Sequence, residues 1–295
     1  MSIDLSRQSF SYVALQTLAV LLLFCTWGSL GVLLSITLLV SAFVLVRIVA
    51  KNLILSSRSY TPVLFYVLIS LSVVTPSIEA VLASLFLALS AWYVSFAFRR
   101  EYSFDNFFRS GFFLGISALF AFESVFLLPS LVFGLWLSKR TLRESIVAVV
   151  GFLLPLLTFA YLRWGIYDEE FLLYFKQGFE SVGWGGCQCV NLYADGFMPL
   201  VSLIFSGVIF ALSVFYIRRF WAQTRFRALR LCMFFVVQAV SCFVMFAFTS
   251  SANIYSLMAV PMSILMPNLL IRGNKILGFV LYALLLVSVC LGHLL

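Results

Sequence analysis

Along this chain polar positions are the exception, and where they fall sets the elements. Apolar runs follow one another with short breaks, at roughly 11–28, 31–46, 60–74, 79–97, 145–162, 197–217, 231–249, 252–270 and 276–294. Several lie near the lower limit of about 17 residues for a helix that crosses the hydrocarbon. None shows the strong alternation of a membrane strand, so the runs read as helices whose backbone bonds close within each segment. The prediction is an all-α bundle of nine full spans. A further apolar run, Gly111 to Leu137, sits between the fourth and fifth and has no simple span length.

Basic residues set the parity of that run. Arg47, Lys51 and Arg58 form one cluster, Arg99, Arg100 and Arg109 a second, and Lys139, Arg140 and Arg143 a third. Arg218, Arg219, Arg225, Arg227 and Arg230 make a fourth, and Arg272 with Lys275 a fifth. With Arg7 they hold all but two of the 19 lysines and arginines, so the positive-inside rule puts these loops and the amino terminus in the cytoplasm, the carboxyl terminus outside. Both loops flanking 111–137 are then cytoplasmic, and the run must cross twice or not at all. A helix of that length is about 40 Å long at about 1.5 Å per residue, too much for one upright span and too little for two. A hairpin of two short helices meets both constraints, with Gly111 and Gly115 permitting close packing and Pro129 interrupting the second arm. A single strongly tilted helix that breaks the charge rule is the alternative. On the hairpin reading Glu123 falls near the tip.

Composition agrees with this reading. The chain is 63% hydrophobic and 10% charged, with a mean hydropathy of +1.12, whereas a soluble domain carries about a quarter charged residues. It reads as one integral membrane domain over 1–295, and MSIDLSRQSF leads into an uncleaved first anchor. The net charge of +8 belongs to short loops on one side, which argues against nucleic acid and for attraction to anionic inner-leaflet lipid. The bacterial inner membrane is the expected location.

Candidate chemistry lies on the other side. A carboxylate at the depth of Glu123 is costly unless paired, protonated or open to a water-filled cavity, so it is either a site residue or a neutral structural one. Glu79 follows Pro76 and Ser77 at the start of the fourth span, where the helix dipole favours an acid. It either ends a helix in the headgroup zone or joins Glu123 at one outward cavity. Arg163 is one of the two outer basic residues, and its guanidinium suits a phosphate; an interface anchor paired with an acid is the alternative. The outer-face loop 163–196 contains an amphipathic surface helix, with Phe171, Phe175 and Phe179 on one side and Asp168, Glu169 and Glu170 in its first turn. Cys187 and Cys189 are a loop staple or free thiols, and the other four cysteines are small core residues. No metal and no cofactor is called for, since the one histidine, His293, is at the far end of the chain.

GFFLGISALFAFESVFLLPSLVFGLWL resembles a paired-helix segment of the C-type membrane glycosyltransferases, with Gly111, Gly115 and Pro129 at matching spacing. Glu79 in LSVVTPSIEAVLASLF takes the place of an acid in a preceding helix of that superfamily, and NIYSLMAVPMSIL is similar to its tyrosine-to-proline helix entry through Tyr255 and Pro261. Members use polyprenyl-phosphate sugars and carry their catalytic acid in the first outer loop, which here is WGSLG (27–31) and contains no carboxylate. The resemblance therefore implies Glu79 or Glu123 as catalytic base and Arg163 with Tyr255 as lipid-phosphate ligands. It is also close to uncharacterised bacterial membrane proteins of this length.

Three functions stay open. The favoured one is a non-catalytic envelope component that binds membrane lipid, polyprenyl phosphate included, or a protein partner. The others are glycosyl transfer from a polyprenyl-phosphate-linked sugar and a small transporter or flippase. The enzyme reading requires Glu79 and Glu123 to face one cavity with Arg163 at its rim.

Overall fold

The computed structural model describes residues 30–52, 54, 60–72, 77–98, 104–137, 142–167, 171, 173–182, 197–219, 226–249, 253–273 and 275–294. Among these the chain is helical throughout, with no strand. The elements in order are α1 (Leu30–Asn52), α2 (Thr61–Ser70), α3 (Ile78–Ala97) and α4 (Phe104–Phe120), then a 3-10 turn at Phe122–Leu127. After it come α5 (Leu128–Leu137), α6 (Leu142–Tyr167), α7 (Leu173–Ser181), α8 (Phe197–Arg219), α9 (Phe226–Phe248), α10 (Asn253–Leu265), α11 (Pro267–Arg272) and α12 (Lys275–Leu294).

Six stretches among the described residues are long and apolar enough to cross a bilayer: Gly31–Asn52, Ile78–Ala97, Leu142–Ile166, Leu200–Arg219, Ala228–Phe248 and Asn253–Leu270. The expected span at 60–74 is the ten-residue α2, about 15 Å long and so half of a hydrocarbon core. Nearly all of α2 is buried, so other helices rather than lipid surround it. The expected span at 252–270 contains a break: α10 ends at Leu265 and α11 restarts at Pro267, whose missing N–H costs nothing at a helix start. The last apolar run forms α12, and the first expected span, 11–28, lies outside the described residues.

The core is built around α10, of which every residue after Asn253 is buried, together with α2 and the inner faces of α3, α4 and α9. Small residues set the helix spacing. Serine ladders link α3 to α4: Ser90 and Ser110 share a hydrogen bond of 3.0 Å, and Ser117 Oγ donates to the Ala83 carbonyl at 2.8 Å. These pairs make α3 and α4 antiparallel.

The run 111–137 does double back. Gly111 lies against the Ala148 carbonyl of α6, and Gly115 against the Phe152 carbonyl and Pro155, so close that a Cβ on either would collide with backbone. Residue numbers rise together across that contact, so α4 and α6 are parallel, and the chain between them must return to its starting level. Its arms differ from expectation in two ways. The first begins at Phe104, so that the polar stretch with the Asp105–Arg109 i,i+4 pair at 2.9 Å is its first turns. Pro129 opens α5 as its second residue instead of interrupting it. The reversal itself comes at Ala121, extended at φ −138° and ψ 104°, after which the chain tightens into the 3-10 turn. The second arm rests on α9, where Gly134 meets the Phe234 ring.

Packing separates the charges into two ends. Lys51 stacks over Trp92 and Phe96, and Arg109 over Tyr93, all near the end of α3. Arg143 lies in the first turn of α6, level with the start of α4. Arg218 and Arg219 close α8, whose Ser213 donates to the Met266 carbonyl beyond the far end of α10. Arg230 lies in the first turns of α9, at the end away from the Phe246–Tyr255 ring contact of 5.5 Å where α9 meets the start of α10. The opposite end holds Glu79, Glu123 and Arg163.

Candidate functional site

Three helix registers converge at that end. Ser77 caps α3: its Oγ accepts from the Ala80 N–H at 3.1 Å and donates to Oδ1 of Asn253, the first residue of α10, at 3.0 Å. Two helix starts are thereby tied together, and Glu79 sits in the first turn of one of them. Since Ala83 opposes Ser117 across the antiparallel pair, Glu79 is level with Ala121 at the end of α4. Since Gly115 meets Pro155 across the parallel pair, Arg163, two turns further along α6, reaches the level of the 3-10 turn. The helix continues to Tyr167, so Arg163 projects from within α6 and not from the loop after it.

The result is one cavity of about 350 Å³ lined by Glu79, Glu123 and Arg163, with Tyr174, Gln177 and Asn253 as its other polar side chains. Its remaining wall is the end of α4 and the turn, Ala118 to Phe122, plus Gly178.

Glu123 is held in place by its neighbours. On one side Ser124 Oγ hydrogen-bonds Ser117 Oγ at 2.9 Å, linking the turn to α4 and through Ser117 to α3. On the other, the Phe122 ring fits under α7 against Gly178, where any Cβ would strike it, and meets Tyr174 and Phe179 edge-on at 6.3 and 5.1 Å. The carboxylate between them is only 5% exposed, and among the described residues it makes no hydrogen bond and no ion pair. Glu79, by contrast, is exposed.

The surface helix α7 covers the turn. Tyr174 packs on Phe159 of α6 at 5.1 Å, and burial pushes its phenol up while the nearby Arg163 charge pulls it down. Phe175 packs on the core; Phe171 lies in a turn before the helix, and Phe179, though 47% exposed, contacts the hairpin tip. The acids expected in its first turn, Asp168, Glu169 and Glu170, and the pair Cys187 and Cys189 lie outside the described residues. Cys232 and Cys242 are buried and Cys290 is half-buried.

Glu79, Glu123 and Arg163 are therefore brought together. Tyr255 is not among the cavity-lining residues; it is buried in a small cluster with Met245, Phe246 and Ile254. Tyr174, Gln177 and Asn253 were missed. For Asn253 the signal was present, an N-cap residue type directly before an apolar helix. Tyr174, Gln177 and Gly178 are spaced i, i+3, i+4 on α7, a polar stripe overlooked in favour of the phenylalanines.

Chemically the cavity offers two carboxylates as acceptors, a guanidinium suited to phosphate, and neutral donors from the phenol and amides. No protein-family model, curated protein or solved structure matches the chain.

Proposed function

We propose that this is a polytopic bacterial inner-membrane protein with one short hairpin that binds the phosphate-bearing head of a membrane lipid, polyprenyl phosphate among the candidates, as a non-catalytic envelope component. The positive-inside rule turns the cavity end outward and the basic end to the cytoplasm, which places the amino terminus inside and the carboxyl terminus outside. The observation that carries the reading is the meeting of Glu79, Glu123 and Arg163 in one cavity. Its volume suits a polar headgroup and not a whole lipid, so the acyl or prenyl chain stays in the bilayer.

Glycosyl transfer is the second reading, and the same meeting favours it, since two carboxylates in unlike surroundings beside a phosphate ligand are what such a transfer needs. Glu79 or Glu123 deprotonates the acceptor hydroxyl, and Arg163 neutralises the leaving phosphate. The fold would then be a degenerate relative of the C-type glycosyltransferases, with the base moved from the first outer loop to the hairpin tip.

Native mass spectrometry of the purified full chain separates these readings. A co-purifying phospholipid or polyprenyl phosphate that is lost on Arg163→Ala supports the binding reading. Turnover of an added polyprenyl-phosphate sugar, abolished by Glu123→Gln, supports the second. A bare protein that also turns over no added polyprenyl-phosphate sugar removes both.

A further inference from the structure

The two carboxylates of the cavity are not equivalent. Glu79 lies in the first turn of α3, where the helix start supplies about half a positive charge to balance it. Glu123 lies in the 3-10 turn, is 5% exposed, and among the described residues has neither a hydrogen bond nor an ion pair. An ionised carboxylate accepts about four hydrogen bonds and donates none. Its donors therefore come from water in the cavity or from a ligand that replaces that water.

A phosphate diester cannot supply them, because it brings only acceptors and a second negative charge beside the carboxylate. Arg163 can balance one phosphate and leaves Glu123 as it was. A group that suits both poles carries a phosphate for Arg163 and, a short link away, a cation with several N–H donors for Glu123.

The geometry points to an aminated phosphate head, a phosphate with a primary ammonium, as the ligand of this cavity: the phosphate on Arg163 and the ammonium on Glu123, with Glu79 as a second acceptor. This rests on the reading of the cavity as a phosphate-head site. A primary ammonium brings three donors and a full positive charge to the carboxylate, where a hydroxyl brings one donor and no charge. A quaternary ammonium has no N–H and is a poor fit.

The test is calorimetric titration of the full chain in detergent with short-chain phosphatidylethanolamine, its N-acetylated form and phosphatidylglycerol, and with soluble O-phosphoethanolamine. The wild-type protein is expected to bind phosphatidylethanolamine about tenfold or more tighter than the two lipids without an amine. Glu123→Gln should erase that preference, bringing phosphatidylethanolamine down to the affinity of the lipids without an amine, and Arg163→Ala should weaken every ligand. Should Glu123→Gln not fold, the wild-type comparison with the N-acetylated lipid decides the matter alone. Equal binding of all three lipids, lost on Arg163→Ala, overturns the amine inference and leaves the phosphate reading standing. No Arg163-dependent binding of any of them overturns both. Binding of O-phosphoethanolamine as tight as that of the lipid assigns the site to a soluble head, and binding of the lipid alone assigns it to a membrane one; either supports the inference.

Discussion

The two ends of the α4 hairpin put charge to opposite uses. At the base, Asp105 and Arg109 form an exposed pair, and Arg109 also lies over Tyr93 at 5.7 Å. Water or headgroups can replace any of these partners, so the pair is worth little. At the tip, Glu123 is buried and unpartnered among the described residues, and the turn that carries it is fixed on both sides by Ser124 and Phe122. A charge that water can serve needs no framework, whereas the framework around Glu123 holds a group that the protein itself does not satisfy. That contrast marks the tip as the working end.

The strongest way to break the contrast is to remove the frame that both ends share. Gly115→Leu places a side chain into the Phe152 carbonyl and Pro155, where backbone must move. Overpacking of this kind costs about 1–3 kcal/mol and often more, so the variant is expected to lose its folded, monodisperse peak in detergent size-exclusion chromatography.

A smaller effect follows from emptying the latch at the tip. Phe122→Ala leaves a hole beneath α7 where the ring met Tyr174, Phe179 and Gly178. Partly exposed as that cluster is, a loss of about 2–3 kcal/mol is expected, below the range for a fully enclosed ring. Hydrogen exchange should rise in 173–181 and stay unchanged in α4.

Glu123→Gln sharpens the contrast. It removes a buried ionisable group without removing a partner, so the melting temperature should hold or rise while retention of an aminated lipid falls. A fall in melting temperature with lipid retention intact would mean that the carboxylate is structural. The smallest effect belongs to the base: Arg109→Ala should leave the melting temperature and bound lipid unchanged in the same assays.

Much of the site could be read from residue order alone. A carboxylate inside an apolar run that must double back, an acid behind a Pro-Ser helix start and an arginine at the end of an apolar run each stood out, because charged residues in or beside apolar runs need a reason. Their assembly was not legible, since it depends on the register of α4 with α3 and with α6. That register is set by Ser90, Ser110 and Ser117 and by Gly111 and Gly115, residues too small and frequent to stand out. Tyr255 illustrates the limit: its place before an apolar run suggested the site, yet packing turns it into the cluster with Phe246.

Sequence by itself determined that the chain is a bundle of apolar helices of membrane type and that 111–137 doubles back. These follow from local rules, since each apolar run and each lysine or arginine answers to lipid and water independently of its neighbours. Tertiary structure alone decided that α2 is a short buried helix, that Pro129 starts an arm, and that Glu79, Glu123 and Arg163 face one cavity. Burial and convergence depend on which helices pack together and at what height, and in a chain this uniformly apolar, shape at a few glycines and serines makes that choice.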